Sequence, residues 1–313
     1  MPRPCPVCHQ RSATELACGV DFEYGSLPGP FHMWVCDGCG HGYLDPLPAR
    51  DELPTIYPSS YYTVNPRSPI HFDGTIYETK LRRDVERIAS FVEGKPIRSV
   101  VDLGCGDAER LARLRERLGP EVEGIGVDFQ PDAARAPELA RRGVRIVQAD
   151  IEEGLDPLED EAHDLMILCQ LIEHLRDPAA ALQSVAKKLA PGGVLLLETP
   201  NLGGLDFRLF KHRYWGGYHF PRHFHVFTAA TLARCTEQAG LEVTRTGFLP
   251  SGFGIVSLRN KLGLSSIERS RRFGEFLHMR NFAVVGLVAA LDLAWIAVGG
   301  QTSNQYLLAR KPS

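Results

Sequence analysis

Apolar and polar positions along the chain switch repeatedly between a period of two and a period near 3.6. Val100, Val101 and Leu103 form a short apolar run stopped by Gly104, the pattern of a buried strand. Leu111 and Leu114 then stand among Arg110, Arg113 and Arg115, which predicts a helix with one apolar side over residues 108–118. Further strands are predicted at residues 122–128, 144–149, 165–169, 194–198 and 241–248, and a last one at 303–310 that pairs with its predecessor. Helices fall between them. Pro131 suits the first turn of one that Gly143 ends; Asp177-Pro178 opens another that Pro191-Gly192-Gly193 stops; Thr228 caps a third that Gly240 closes. Upstream, Ile76, Leu81, Val85, Ile88 and Phe91 give residues 75–91 the stripe of an amphipathic helix. Strands alternating with helices imply an α/β fold with a doubly wound, mostly parallel sheet.

Two stretches leave this rhythm. Residues 46–69 are rich in Pro, Tyr and Ser and predict a linker with one short helix near residues 49–56. Tyr57, Tyr61 and Tyr62 either cover a bound ligand as a lid or pack the linker against the main domain. Residues 282–298 are almost wholly apolar, but they are at the short end for a membrane span and carry Asp292 in their middle. A single crossing would also put the last two strands on opposite sides of the bilayer and prevent their pairing. The remaining readings are a buried or dimer-forming helix, or one lying in a membrane interface beside Arg269, Arg271, Arg272 and Arg280. Residues 250–302 thus read as an insertion between the last two strands. The predicted organisation is a module at 1–45, a linker or lid at 46–73, and one large domain at 74–313.

Composition adds limits. The 313 residues can bury a large core, and a net charge of −3 argues against nucleic acid as a partner. Four of the eight cysteines form two close pairs near the start, and the rest are scattered. That is not a secreted disulfide framework, and the N-terminus lacks a signal-peptide core, so a cytoplasmic, reducing location is expected. Cys5-x-x-Cys8 and Cys36-x-x-Cys39 have the spacing of two knuckles that together close a tetrahedral Cys₄ shell around structural Zn²⁺; reduced structural cysteines or a redox pair are the alternatives. Cys18, His9, His32 and His41 lie nearby and are read as packing residues, since four sulfurs complete the shell.

The chemistry centres on the turn after the first strand of the large domain. Gly104 and Gly106 let the backbone turn sharply and let a ligand approach it, while Asp102 sits at the strand's carboxyl end, where open α/β sheets bind ligands. Asp128 ends the second strand and Asp150 the third. An acid there suits ribose hydroxyls. A dinucleotide fingerprint would need a third glycine where Glu109 stands. The stretch VVDLGCGDA instead resembles the first motif of class I S-adenosylmethionine-dependent methyltransferases, and the similarity runs from about Val100 to Glu242 and returns at the C-terminus. A position that is commonly glycine in that family is Ala108 here. The resemblance implies a Rossmann-like, seven-stranded methyltransferase sheet. It also implies that Gly104, Cys105 and Gly106 face the methionine part of the cofactor, Asp128 with Phe129 the ribose, Asp150 with Ile151 the adenine, and Gln170 the methionine moiety. The N-terminal pairs resemble a zinc-ribbon module.

Residues 200–228 are crowded with rings, histidines and arginines and leave the fifth strand on the cofactor side. They read as a wall of an acceptor pocket or, alternatively, as a packed loop. An oxygen acceptor gains from a base, for which His223, His219 and His174 are candidates. The expected activity is methyl transfer to a small-molecule, sugar or lipid-linked acceptor. A zinc-ribbon-guided RNA or protein methyltransferase and a catalytically silent binding scaffold are the alternatives. The region around the knuckles is not basic, and CQLIEH stands where nucleobase amine methyltransferases carry an Asn-Pro-Pro-Tyr type motif.

Overall fold

Two sheets organise the chain. In the computed structural model, residues 2–58, 74–265 and 276–313 are described; Tyr61, Tyr62, Arg269, Arg271 and Arg272 fall outside them. The first sheet begins with β1 (Ala13–Gly19), β2 (Phe31–Cys36) and β3 (Gly42–Leu44), antiparallel in that order. The second contains β4 (Ser99–Leu103), β5 (Glu123–Asp128), β6 (Val144–Gln148), β7 (His163–Cys169) and β8 (Leu189–Pro200). Next comes the short β9 (His225–Val226), then β10 (Glu242–Leu249) and β11 (Asn304–Arg310).

The large sheet has the order β10-β11-β8-β7-β4-β5-β6. β4 pairs in parallel with β5 on one side and with β7 on the other, and β11 runs antiparallel to both β8 and β10. The expected pairing of the last two strands is present. The chain reverses direction across the sheet beside β4, so the strand ends next to it form the crevice where such sheets take ligands.

Alternation along the central strands divides the core. Val101, Leu103, Met166, Leu168, Leu195 and Leu197 pack with Leu182 and Val185 of the helix Pro178–Lys188 and with Leu232 of the helix Ala229–Gln238. Val100, Leu165, Ile167 and Leu196 face the other way, onto Leu81, Val85 and Ile88 of the helix Gly74–Phe91 and Leu111 and Leu114 of the helix Glu109–Leu118. Burying one such side chain contributes about 1.5–3 kcal/mol, so these two layers dominate the fold's stability.

Three local outcomes differ from the sequence reading. Ala108 is not inside its helix but caps it, with a left-handed φ of 55°. A non-glycine there is strained, which explains why glycine is common at that position. β8 starts at Leu189 and runs through Pro191-Gly192-Gly193, because Gly192 takes a left-handed φ of 78° and Gly193 lies against the carbonyls of Ala190 and His163. The apolar helix Phe282–Ala297 has no buried residue, so the buried alternative does not hold within this chain. Phe282, Leu287, Leu291 and Leu293 are exposed, while Asp292 turns inward to accept the Ser251 N–H at 2.7 Å. Among the described residues no helix is long and apolar enough to cross a membrane.

The small sheet is completed from far along the chain. β9 pairs with β3 through Gly42 opposite Val226 and Tyr43 opposite His225. The N-terminal module and the segment leaving β8 therefore share one sheet. The inserted helix Phe253–Leu262 braces the same segment, with Ser257 Oγ accepting the Gly216 N–H at 2.8 Å.

Candidate functional site

The carboxyl ends of β4, β5, β6 and β7 gather every residue expected to hold a cofactor. After β4, Gly104 and Gly106 take left-handed φ values of 69° and 55°, which glycine adopts without strain. The amides of Gly104 and Cys105 both donate to Val127 O, at 2.8 and 3.2 Å, tying the turn to β5. A Cβ added at Gly106 would meet nothing within 4 Å, so this part of the turn is open. Asp128 ends β5 as a fork: Oδ2 accepts the Gly106 N–H and Oδ1 the Gln130 N–H, each at 3.0 Å. Each oxygen keeps a lone pair for a further donor. Beside it Phe129 is 55% exposed, unusual for a ring of that size.

Asp102 is fully buried and forms a bidentate pair with Arg110, at 2.7 and 2.9 Å from Nη2. Burial alone would lower the Arg110 pKa; the Asp102 charge overrides that and raises it well above its ordinary value. The Asp102 carboxylate is thus turned to the first turn of the following helix, and it fixes the glycine turn from below. Cys105 also turns away from the open side: its Sγ would lie 2.8 Å from a Cβ at Gly126. Asp150 caps the turn after β6 by accepting the Glu152 N–H at 2.9 Å, with the side chain of Ile151 buried beside it. Gln170 follows β7 with φ 55° and donates from Nε2 to Asn304 Oδ1 at 3.1 Å.

One step further, the 3₁₀ turn Ile172–His174 leads to the histidines expected near an acceptor. His174, His219 and His223, far apart in sequence, come together: the His223 ring centroid is 4.7 Å from that of His174 and 5.1 Å from that of His219. His223 Nδ1 is 2.8 Å from Gly217 O, and His174 Nδ1 is 3.1 Å from Arg222 O and 3.0 Å from the Tyr57 hydroxyl. Burial lowers the His174 pKa to about 3 and that of His223 well below its ordinary value. Both rings are therefore neutral at physiological pH. His219, with a left-handed φ of 38°, pairs with Glu23 at 3.1 Å.

Several residues of this cluster carried no sequence signal. Glu173 is fully buried; its Oε2 accepts from Thr199 Oγ1 at 3.0 Å, its Oε1 has no partner, and burial raises its pKa to about 8. Asp21, Glu23 and Tyr24 come from the loop between β1 and β2. Asp21 forms a buried ion pair with Arg222 at 2.9 Å, and the Arg222 guanidinium lies 4.4 Å from the Tyr24 ring centre. Nothing in a short acidic-aromatic loop at residue 21 points to an arginine two hundred positions away.

The four knuckle cysteines also converge. Cys5 and Cys39 sulfurs are 3.6 Å apart, Cys8 and Cys36 sulfurs 3.4 Å, and all four lie within 4.8 Å of one another. A tetrahedral ion with metal–sulfur bonds of about 2.3 Å would set sulfurs about 3.8 Å apart, so the set fits a thiophilic cation. Left-handed His9 and Gly40 close the two knuckles, their amides donating to Cys5 O and Cys36 O. His41 is not part of the set: it stacks toward His225, Nε2 to Nδ1 at 3.0 Å.

Residues 74–246 match the family model described as a methyltransferase domain. A probable S-adenosylmethionine-dependent methyltransferase of Mycolicibacterium smegmatis is 33% identical over 181 residues, covering 55% of this chain and 62% of that protein. The chloroplastic tocopherol O-methyltransferase of Arabidopsis thaliana is 33% identical over 192 residues, covering 60% of this chain and 51% of its own length. The chain thus spans less than two thirds of the curated relatives it matches. Among solved structures, a Burkholderia thailandensis 1,6-didemethyltoxoflavin-N1-methyltransferase, with bound 1,6-didemethyltoxoflavin and S-adenosylhomocysteine, superposes with a TM-score of 0.51 at 18% identity. That superposition covers 88% of this chain and 98% of that one, and it is a likeness of fold.

Proposed function

We propose that this chain, a member of the methyltransferase-domain family, transfers a methyl group from S-adenosylmethionine to a hydroxyl group on a small molecule with an apolar body. S-adenosylmethionine, when bound, supplies a methyl group on a sulfonium. In the proposed site the glycine turn at Gly104–Gly106 lies along the methionine part. Asp128 accepts the ribose hydroxyls with Phe129 against them, and Asp150 and Ile151 border the adenine. Gln170 borders the methionine moiety, and Asp102 with Arg110 positions the turn without touching the ligand.

The observation that carries the choice of acceptor is the meeting of the His174 and His223 rings, 4.7 Å apart and each held by a backbone carbonyl, just past β7. A hydroxyl is a weak nucleophile until its proton is drawn away, and lone pairs on fixed imidazoles serve that need. Their rings hold the reacting oxygen, and the Tyr57 ring beside His174 favours an apolar body. His219 positions the loop through Glu23. The similarity to the tocopherol O-methyltransferase of Arabidopsis thaliana supports the same class of acceptor. The exposed apolar helix Phe282–Ala297 supports an acceptor met at a lipid surface. Phe282, Leu287, Leu291 and Leu293 are exposed on it, an apolar surface that contact with lipid would cover. Cys5, Cys8, Cys36 and Cys39 are proposed to hold a structural zinc ion.

The test is the mass of the product formed when labelled S-adenosylmethionine is incubated with cell extract and the enzyme. A single methyl group on a hydroxyl is expected. In His223→Ala, turnover should fall by at least tenfold with cofactor affinity unchanged. Methyl transfer to a nitrogen, or turnover unaffected by the substitution, would overturn the oxygen reading.

A further inference from the structure

The cluster beyond β7 contains more than a base requires. One donor atom from each of Glu173, His174 and His223 falls within 4.8 Å of the others. The two histidines are held in a defined protonation pattern. A carbonyl only accepts, so Nδ1 of His223 carries its proton toward Gly217 O at 2.8 Å, and Nδ1 of His174 carries its own toward Arg222 O at 3.1 Å, with the Tyr57 hydroxyl, 3.0 Å from the same nitrogen, as a second acceptor. That leaves the lone pair of each ring on Nε2, and neither Nε2 has a hydrogen-bond partner among the described residues. A second nitrogen committed to a backbone carbonyl is the usual support of a metal-ligating histidine. The third donor is the Glu173 side chain, whose Oε1 is buried and unpartnered while Thr199 anchors Oε2 at 3.0 Å. A buried side-chain oxygen without a partner is unfavourable unless something completes it.

We propose that Glu173, His174 and His223 bind a divalent first-row transition cation, zinc being the probe of choice, with at least one coordination position left open toward the acceptor. Two imidazoles and one carboxylate are the donor set of an open zinc site, distinct from the closed four-sulfur shell at the N-terminus. A tetrahedral ion at about 2.1 Å sets donors about 3.4 Å apart, inside the 4.8 Å within which a donor atom of each residue lies. With the ion bound the two imidazole lone pairs are committed to it, so the acceptors such a site takes are those with a hydroxyl oxygen able to ligate the ion in place of a hydrogen bond to a free imidazole. This last point rests on the methyl-transfer reading; the binding of the ion does not.

The full chain is stripped with chelator, reloaded with excess zinc, freed of loosely held ion, and its zinc measured by mass spectrometry. Two ions per chain are expected in the wild type and one in the His174→Ala/His223→Ala double variant. One ion per wild-type chain, or two in a folded double variant, overturns the site. Should the double variant fail to fold, cobalt-loaded wild type decides the matter. Thiolate charge-transfer bands must be accompanied by visible bands of a nitrogen–oxygen site that Glu173→Gln alters, and thiolate bands alone refute the proposal. Titrating the same wild-type sample with S-adenosylmethionine separates the two readings. Cofactor binding with a single ion sinks the metal site alone, and absence of cofactor binding counts against methyl transfer whatever the ion content.

Discussion

Replacing Asp21 by alanine should destabilise this protein far more than a loop substitution in a small N-terminal module normally does. The Asp21 and Arg222 side chains are 1% and 0% exposed and meet at 2.9 Å. Arg222 also donates to Ile56 O at 2.7 Å and Phe220 O at 3.2 Å, and Asp21 accepts the amides of Tyr24 and Ser26, each at 3.0 Å. Removing the carboxylate takes away the charged partner that meets this buried guanidinium at 2.9 Å, a loss of about 3–5 kcal/mol. Against a total stability of roughly 5–15 kcal/mol that is a large share.

The same pair gives an independent magnitude. Burial works to raise the Asp21 pKa, but the hydrogen bond and charge of Arg222 bring it down to about 2 from an ordinary 3.8. Because the folded value is the depressed one, the stabilisation is fully present above the unfolded pKa and is lost as pH falls through the folded one. The shift corresponds to about 2.5 kcal/mol, of which about 1 kcal/mol is gone by pH 3. Urea unfolding of wild type and Asp21→Ala at pH 7 and again near pH 3 measures both quantities. The gap should be several kcal/mol at pH 7 and narrower at pH 3. Asp21→Leu combined with Arg222→Met should recover much of the loss, since it removes both charges. A gap under about 1 kcal/mol at pH 7, or one that does not shrink on acidification, would refute the account of this pair as a buried lock between the module and the acceptor loop.

Asp128→Ala should weaken S-adenosylmethionine binding by roughly tenfold or more in calorimetry, because charge-assisted bonds to two ribose hydroxyls are lost; unchanged affinity would move the cofactor elsewhere. Cys36→Ser should reduce the sulfur-bound zinc and lower the melting temperature, and elemental analysis showing undiminished zinc would rule out the four-cysteine site. Flotation with anionic vesicles should carry the wild-type chain with the lipid, and Leu287→Glu/Leu291→Glu should abolish it; a chain that stays in the soluble fraction would leave the apolar helix as a contact between copies.

The large sheet was legible because its information is local. Each strand is a short apolar run, each helix carries its own stripe, and glycines, prolines and caps mark the joins, so Val100 to Leu103 and Leu111 to Leu114 announce their elements without help from distant residues. The convergence of the histidines was partly legible, since His174 follows a strand end and His219 and His223 sit in one ring-rich segment. What escaped the sequence depends on pairs formed across the chain. β9 has only two residues, too few for any periodicity, and becomes a strand because Gly42 and Tyr43 offer it an edge. Glu173 reads as one more acid until burial leaves its Oε1 without a partner. These long-range facts bear on function more than the legible ones do. Cys39 lies three residues before Gly42, Gly42 pairs with Val226, and Val226 lies three residues after His223. Asp21 meanwhile grips Arg222 from the loop on the other side of β1. The N-terminal module therefore holds the acceptor histidines at two points, by strand pairing and by a buried charge. A module that only decorated the large sheet would need neither, so under the proposed function its four-cysteine cluster acts as a clamp on the segment that carries His219 and His223.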